Sequence, residues 1–254
     1  MFAKAFLQAV LDTVFPPRCP GCGRLEEGTS HGDAPRRQGA LPVTGFCRRC
    51  VLELLPITSP ICPRCGIPFI SREGPDHYCA KCLTETVHYR KARAYGVYSG
   101  ALMKAIQGFK YGKKAGFSRP LGRMLQDGFR RYWRPGEIDL LLAVPLHDGR
   151  LRERGFNQAY LLARQWARKW DIRLDAAAMV RHRVTKPQTG LTLPARRRNV
   201  RGAFRVNHPA SVTGRRVLLV DDVLTTGATV NECARVLMKA RAECVDVLTL
   251  ARVL

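Results

Sequence analysis

The chain alternates short, unbroken apolar runs with longer stretches in which apolar positions recur three or four residues apart. Residues 92–99 (ARAYGVYS), 138–146 (IDLLLAVPL), 217–220 (VLLV) and 244–254 (CVDVLTLARVL) form the runs. Such β-branched and aliphatic runs suit strands buried on both faces of a parallel sheet. Residues 117–133 and 155–170 read as helices, the first with Pro120 in its opening turn. Val230, Ala234, Val236, Leu237 and Ala240 mark one face of another helix after a turn at 224–229. A further strand is expected near 176–183. Strands alternating with helices predict an α/β domain over residues 89–254, a mostly parallel sheet flanked by helices.

Before that domain the pattern is different. Residues 2–15 place Phe2, Phe6, Val10 and Val14 on one helical face, interrupted by Lys4, Gln8 and Asp12. Without a small-residue cleavage site this is a poor signal peptide, and it reads as a helix, over 1–17, packed on the next module rather than an interfacial anchor. No run reaches the 18 or so apolar residues that span a bilayer, so no transmembrane segment is expected.

Residues 18–88 are organised by cysteine. Eight of the ten cysteines fall in four CxxC pairs, Cys19/Cys22, Cys47/Cys50, Cys62/Cys65 and Cys79/Cys82. The wording repeats: CPGCG is followed by FCRRC, and CPRCG by YCAKC. Two such knuckles supply the four thiolates of a tetrahedral zinc site. The duplication favours sequential pairing, Cys19, Cys22, Cys47 and Cys50 around one Zn2+ and Cys62, Cys65, Cys79 and Cys82 around another. A crossed pairing of the first with the third is also compatible with the spacing. Closed four-thiolate sites are structural, because no coordination position stays open for a substrate. Disulfides fit poorly without a secretion signal, and the expected location is cytoplasmic. His77 reads as a neighbour of the second site, and residues 23–42 as a loop.

Charge narrows the function. The net charge is +23, and it is uneven: residues 1–90 hold 11 basic and 8 acidic side chains, residues 91–254 hold 32 and 12. A field this positive favours polyanions, either a phosphorylated metabolite or nucleic acid. Three features meet at the carboxyl ends of the expected strands, where open α/β sheets place ligands. Asp221 and Asp222 follow the run 217–220 and lead into a Thr/Gly-rich turn. Arg150 and Arg154 lie four residues apart after Pro145. Residues 181–205 contain eight basic side chains and no acidic one, broken by Pro and Gly, and read as a lid. A nucleoside-triphosphatase loop is absent: GFKYGK at 108–113 has one spacer too few and is followed by Lys114, and there is no GxGxxG.

The stretch VLLVDDVLTTGAT resembles the signature of type I phosphoribosyltransferases. Together with VPLHDGRLRERGFNQ, the 181–204 stretch and the cysteine knuckles, it resembles the ComF competence-protein family over nearly the whole chain. The resemblance implies a phosphoribosyltransferase-like sheet with an N-terminal double zinc ribbon. It also implies binding of 5-phosphoribosyl-1-pyrophosphate with Mg2+ and a role in DNA uptake alongside an uptake machinery.

On the matching positions, Asp221 and Asp222 would accept hydrogen bonds from the ribose hydroxyls. The segment Val220, Val223, Leu224, Thr225, Thr226, Gly227, Ala228 and Thr229 would cradle the 5-phosphate at a helix N-terminus. Arg150 and Arg154 would face the pyrophosphate. Arg181, Lys186, Gln188, Arg196, Arg197, Arg198 and Asn199 would close over it. No acceptor-recognising hood is evident, so the acceptor stays open, as does the choice between turnover and binding. The alternatives are a non-catalytic single-stranded DNA binder and a zinc-dependent adaptor for a DNA-translocation partner. For the DNA binder, Phe109, Tyr111 and Phe117 among Lys110, Lys113 and Lys114 offer stacking faces beside cations, and the same stretch equally suits a hairpin or helix that packs its aromatic residues inward.

Overall fold

The computed structural model describes residues 18–25, 45–71, 73–112, 115–134, 136–185 and 192–254, apart from the side chain of Leu193. The expectations placed on residues 1–17, on most of the 23–42 loop, and on Lys113, Lys114, Lys186 and Gln188 lie outside the described residues. Two short helices begin inside cysteine pairs, α1 (Arg48–Leu52) after Cys47 and α2 (Ala80–Thr84) after Cys79. The remaining elements alternate. They are β1 (Ala92–Val97), α3 (Gly100–Tyr111), α4 (Ser118–Tyr132), β2 (Leu140–Ala143), α5 (Asp148–Arg154), α6 (Gln158–Ala167), β3 (Arg173–Leu174) and β4 (Met179–Arg181). Then come α7 (Leu193–Val200), β5 (Phe204–Val206), α8 (Pro209–Val212), β6 (Arg216–Leu224), α9 (Ala228–Lys239) and β7 (Cys244–Arg252).

Five strands form a parallel sheet in the order β1-β7-β6-β2-β3. The apolar runs sit where burial on both faces requires them. Leu218, Val220, Leu248 and Leu250 pack with Phe109 of α3, Leu125 and Phe129 of α4 and Leu162 and Trp166 of α6. Val217, Leu219, Val245 and Val247 face the other way, against Cys233, Ala234 and Leu237 of α9 and Phe204 of β5. Asp246 is fully buried in β7, which is tolerable because Arg90 donates to both its oxygens (2.9 and 2.6 Å) and Trp133 Nε1 donates at 2.6 Å.

One expectation changes. The strand near 176–183 is β4, and it does not join the parallel sheet; it pairs antiparallel with β5 in a separate ribbon, Met179 opposite Val206. Leu141 is paired instead with Leu174 of the short edge strand β3. Among the described residues of the basic stretch, α7 runs through Arg196, Arg197 and Arg198, with Pro194 in its first turn.

The second knuckle pair presses directly on the sheet. Ala92 N–H donates to Arg64 O at 2.7 Å, and Arg252 of β7 donates to Cys65 O at 2.7 Å. Gly66, at φ +68°, leaves no room for a side chain, because a Cβ there would lie 2.5 Å from Ala92 O.

Candidate functional site

Adjacent residues on a strand point to opposite faces of the sheet. Asp221 and Asp222 obey this, because β6 continues through them to Leu224 instead of ending at Val220. Asp222 lies on the α3 face, 7 % exposed, with its Oδ1 2.7 Å from Lys110 Nζ. Asp221 lies on the other face near Arg181 and Cys233, and accepts the Asp222 N–H at 2.8 Å. The two carboxylates nonetheless border one cavity of about 530 Å³, since they lie at the carboxyl edge of the sheet, where the strands open onto it.

Much of the rest of the wall comes from α5, α6, α7, α9 and β4. Thr225 and Thr229 flank the N-terminal turn of α9, whose N-cap, Gly227, has φ +79°. A left-handed conformation there suits glycine and turns the chain sharply from strand to helix. Opposite, Pro145 and Leu146 precede α5. His147 caps that helix by accepting from Gly149 N–H at 3.2 Å, and Gly155, at φ +78°, ends it. The short helix brings Arg150 and Arg154 to the cavity on one face. Asn157 caps α6 and donates to Val144 O at 3.1 Å, tying this loop to the end of β2. Arg181 of β4 and Arg196 of α7 complete the basic side.

Electrostatics follow from this enclosure. Burial pushes the Asp221 carboxyl up to about 7, the negative charge of Asp222 adds to the shift, and Lys110 opposes it. Burial alone would lower the Lys110 ammonium, but Asp222 and Asp221 outweigh it and hold it above its usual range. Burial lowers the Arg181 guanidinium, with Arg150 nearby adding like-charge repulsion. Four guanidiniums thus face an acidic pair across a cavity suited to an anion.

Not every expected residue reaches it. Val220 and Leu224 are core residues, and Arg198 is exposed on α7 away from the cavity. Val223 borders the cavity, whereas Thr226, Gly227 and Ala228 form the turn behind Thr225 and Thr229. Arg197 pairs with Glu85 just after α2. Of the expected stacking residues, Phe109 is fully buried and Phe117 packs against the core, leaving Tyr111 exposed at the cavity mouth beneath the Arg154 guanidinium, 5.4 Å from the ring centroid. Sequence reasoning missed Lys110 as the partner of Asp222, and also Tyr98, Gln107 and Gln158 in the wall. Gln158 was within reach of it, because it ends the RGFNQ motif. It is 2 % exposed and accepts from Arg154 at 3.1 Å, and its Nε2 has no partner among the described residues.

The cysteines assemble sequentially. Cys19, Cys22, Cys47 and Cys50 converge at one point, and Cys62, Cys65, Cys79 and Cys82 at another, with all four sulfurs of each group within 4.8 Å of one another. Tetrahedral zinc with Zn–S bonds of about 2.3 Å separates its sulfurs by about 3.8 Å. The Sγ–Sγ distances of Cys22–Cys47 and Cys65–Cys79 are both 3.7 Å. The donor sets therefore fit two closed zinc sites. His77 stacks on Phe69, 3.7 Å between ring centroids, and belongs to neither group.

Residues 10–83 match the double zinc ribbon domain and residues 156–254 the phosphoribosyl transferase domain. The chain is 34 % identical over 197 residues to the DNA utilization protein YhgH of Escherichia coli, covering 76 % of this chain and 85 % of that protein. It is also 34 % identical to competence protein F of Haemophilus influenzae, covering 82 % and 90 %. The chain belongs to the ComF family. The competence protein ComFC of Bacillus subtilis is 28 % identical over 83 % of this chain and 85 % of its own length. As a member of this family the chain carries a phosphoribosyltransferase-type domain behind a double zinc ribbon. Among the described residues no helix is long and apolar enough to cross a membrane.

Proposed function

We propose that this ComF-family chain binds 5-phosphoribosyl-1-pyrophosphate with Mg2+ in the cavity at the end of β6, and acts as a phosphoribosyltransferase in the service of DNA uptake. The observation that carries the reading is the meeting of the acidic pair and the Thr-lined turn of α9 with four guanidiniums in one cavity. Asp221 and Asp222 accept the ribose hydroxyls, and the α9 turn donates backbone N–H groups to the 5-phosphate. Arg150, Arg154 and Arg181 face the pyrophosphate, and Gln158 Nε2 is a further donor for it. Mg2+ is bound through one or two carboxylates plus substrate phosphates in such sites, and Asp221 and Asp222 are the acidic groups of this wall that fit it. When bound, the metal neutralises charge on the pyrophosphate.

The reaction is displacement at the anomeric carbon. The bond from that carbon to the pyrophosphate oxygen breaks with its electron pair leaving on oxygen, and a bond forms to the acceptor. The chain's contribution is to stabilise the departing charge with preorganised guanidiniums and to exclude water beneath α7 and the β4-β5 ribbon. The relatives' names, competence protein F and DNA utilization protein, support the link to DNA uptake. Four-thiolate sites suit a reducing compartment, which supports the cytoplasm. Calorimetric titration with 5-phosphoribosyl-1-pyrophosphate and Mg2+ tests the reading: wild-type protein binds, and Asp222→Ala reduces affinity at least a hundredfold. Equal binding by the variant would refute the site.

A second reading, a single-stranded DNA binder, draws on the positive field of residues 91–254 and on exposed guanidiniums such as those of Arg152 and Arg198.

A further inference from the structure

The second zinc ribbon is more than a neighbour of the phosphate turn. Lys81 lies inside the knuckle, between the ligands Cys79 and Cys82, on α2. Its Nζ donates to Thr226 O at 2.5 Å, across 145 residues of sequence. Asn231, on the first turn of α9, donates to Thr86 O at 3.4 Å, and its Oδ1 accepts the His88 N–H at 2.7 Å. Tyr89 closes the same seam: a Cβ on Gly227 would lie 3.6 Å from its hydroxyl. Glu85, one residue past α2, pairs with Arg197 of α7 and lies 4.0 Å from Lys81. One zinc knuckle thus grips the turn proposed to cradle a phosphate and the helix that covers it.

The first tetrad is built into a different place. Cys19 and Cys50 pack in the core cluster that holds Ala101 and Leu102 of α3, on the opposite side of the sheet from α9. The two metal centres are therefore unequal in what they support.

We propose that Lys81 is a positioning residue for the 5-phosphate turn, and that the second zinc site, through Lys81, presets that turn for a ribose 5-phosphate group. The inference rests on the proposed phosphoribosyl site. Its physical basis is that a zinc-bound knuckle has few conformations left, so a charge-assisted bond from it to Thr226 O fixes the turn before ligand arrives. The ammonium also adds positive charge beside the turn. By linkage, a ligand that binds the fixed turn must in return hold the knuckle closed.

Two measurements on the full-length, zinc-loaded protein test it. Lys81→Met retains the aliphatic stem and removes the donor. Ribose 5-phosphate binding is expected to weaken roughly tenfold, the loss typical of one hydrogen bond to a charged group. Binding of magnesium pyrophosphate, on the far side of the cavity, is expected to change less than twofold, a split that general loosening of the fold does not produce. Zinc content stays at two per chain. Unchanged ribose 5-phosphate binding by Lys81→Met overturns the inference while leaving the phosphoribosyl site intact; failure of the wild type to bind ribose 5-phosphate instead removes the site itself. The second measurement needs no variant. In a chelator chase of the wild type, saturating ribose 5-phosphate should slow release of one of the two zinc ions several-fold and leave the other unchanged. Release of both at unaltered rates overturns the proposal, and this result decides the matter if Lys81→Met loses zinc.

Discussion

Asp222 and Lys110 show how two charges are held together at the half-closed edge of the sheet. Their side chains are 10 % and 17 % exposed and form an ion pair of 2.7 Å. Removing one partner leaves an uncompensated charge, whereas replacing both with apolar groups of similar size costs far less. Lys110→Met is therefore expected to lower unfolding free energy by about 3 kcal/mol in urea titrations, with Lys110→Met/Asp222→Leu recovering most of it. Additive losses in the double variant would show that the pair is not coupled. Asp221 gives a pH signature. Its carboxyl is raised by burial and by Asp222 to about 7, from an ordinary 3.8. A raised acid favours the folded state fully below pH 3.8, and this contribution is lost as pH climbs through about 7. Ribose hydroxyls donate, so ligand selects the ionised carboxylate. Affinity for 5-phosphoribosyl-1-pyrophosphate should rise between pH 6 and pH 8, with a proton released on binding at pH 6.5. Calorimetry in two buffers of different ionisation enthalpy measures that proton, and a net uptake would contradict the assignment.

At the scale of elements, the cysteine knuckles turn local sequence into long-range structure. The second ribbon is fastened to β1 and β7 by Arg64, Gly66 and Arg252, so its metal supports the edge of the sheet as well as itself. Structural zinc contributes roughly 10–16 kcal/mol in small ribbons, comparable with the whole stability of a domain. Cys62→Ser should therefore unfold the ribbon and lower the melting temperature of the α/β domain by more than about 5 °C, seen by calorimetry. An unchanged transition would show the ribbon to be an independent appendage. The knuckles and the inner strands were legible in the sequence because both are local: two thiols per tight turn, and apolar runs without breaks. The acidic pair and the Thr/Gly turn were legible for the same reason. Helix α3 was not picked out, although Ala101, Leu102, Ala105, Ile106 and Phe109 do carry its buried face. The lysines around Phe109 and Tyr111 left open both a stacking surface and a hairpin or helix with its aromatic residues inward, and packing decides for the second at Phe109. The pairing of β4 with β5, and of Lys110 with Asp222, depends on contacts between distant segments that no local pattern encodes.

On the scale of the whole molecule, the excess of basic side chains lies in the domain that holds the cavity. Part of it is spent at the site, on Arg150, Arg154, Arg181 and Arg196. Some of the remainder is paired, as in Arg216 with Asp139 at 2.7 Å and Arg235 with Glu232 at 2.7 Å. Guanidiniums such as Arg152 and Arg198 remain on the exposed surface, and a long polyanion would meet these before it met the cavity. The expected DNA contact is therefore electrostatic and only weakly dependent on stacking, because Phe109 is buried and Tyr111 is the large aromatic left exposed at the mouth. Release of counterions from a single strand lowers log affinity by about 0.7 per log unit of salt for each phosphate neutralised. Contact with three or more phosphates gives a slope steeper than about −2 for oligothymidylate in fluorescence anisotropy titrations. Tyr111→Ala should weaken binding by less than about 1 kcal/mol, below the usual contribution of a base-stacking aromatic, and leave the slope unchanged. A flat salt response would remove the DNA contact, and a large loss in Tyr111→Ala would make stacking, rather than the basic surface, the source of affinity.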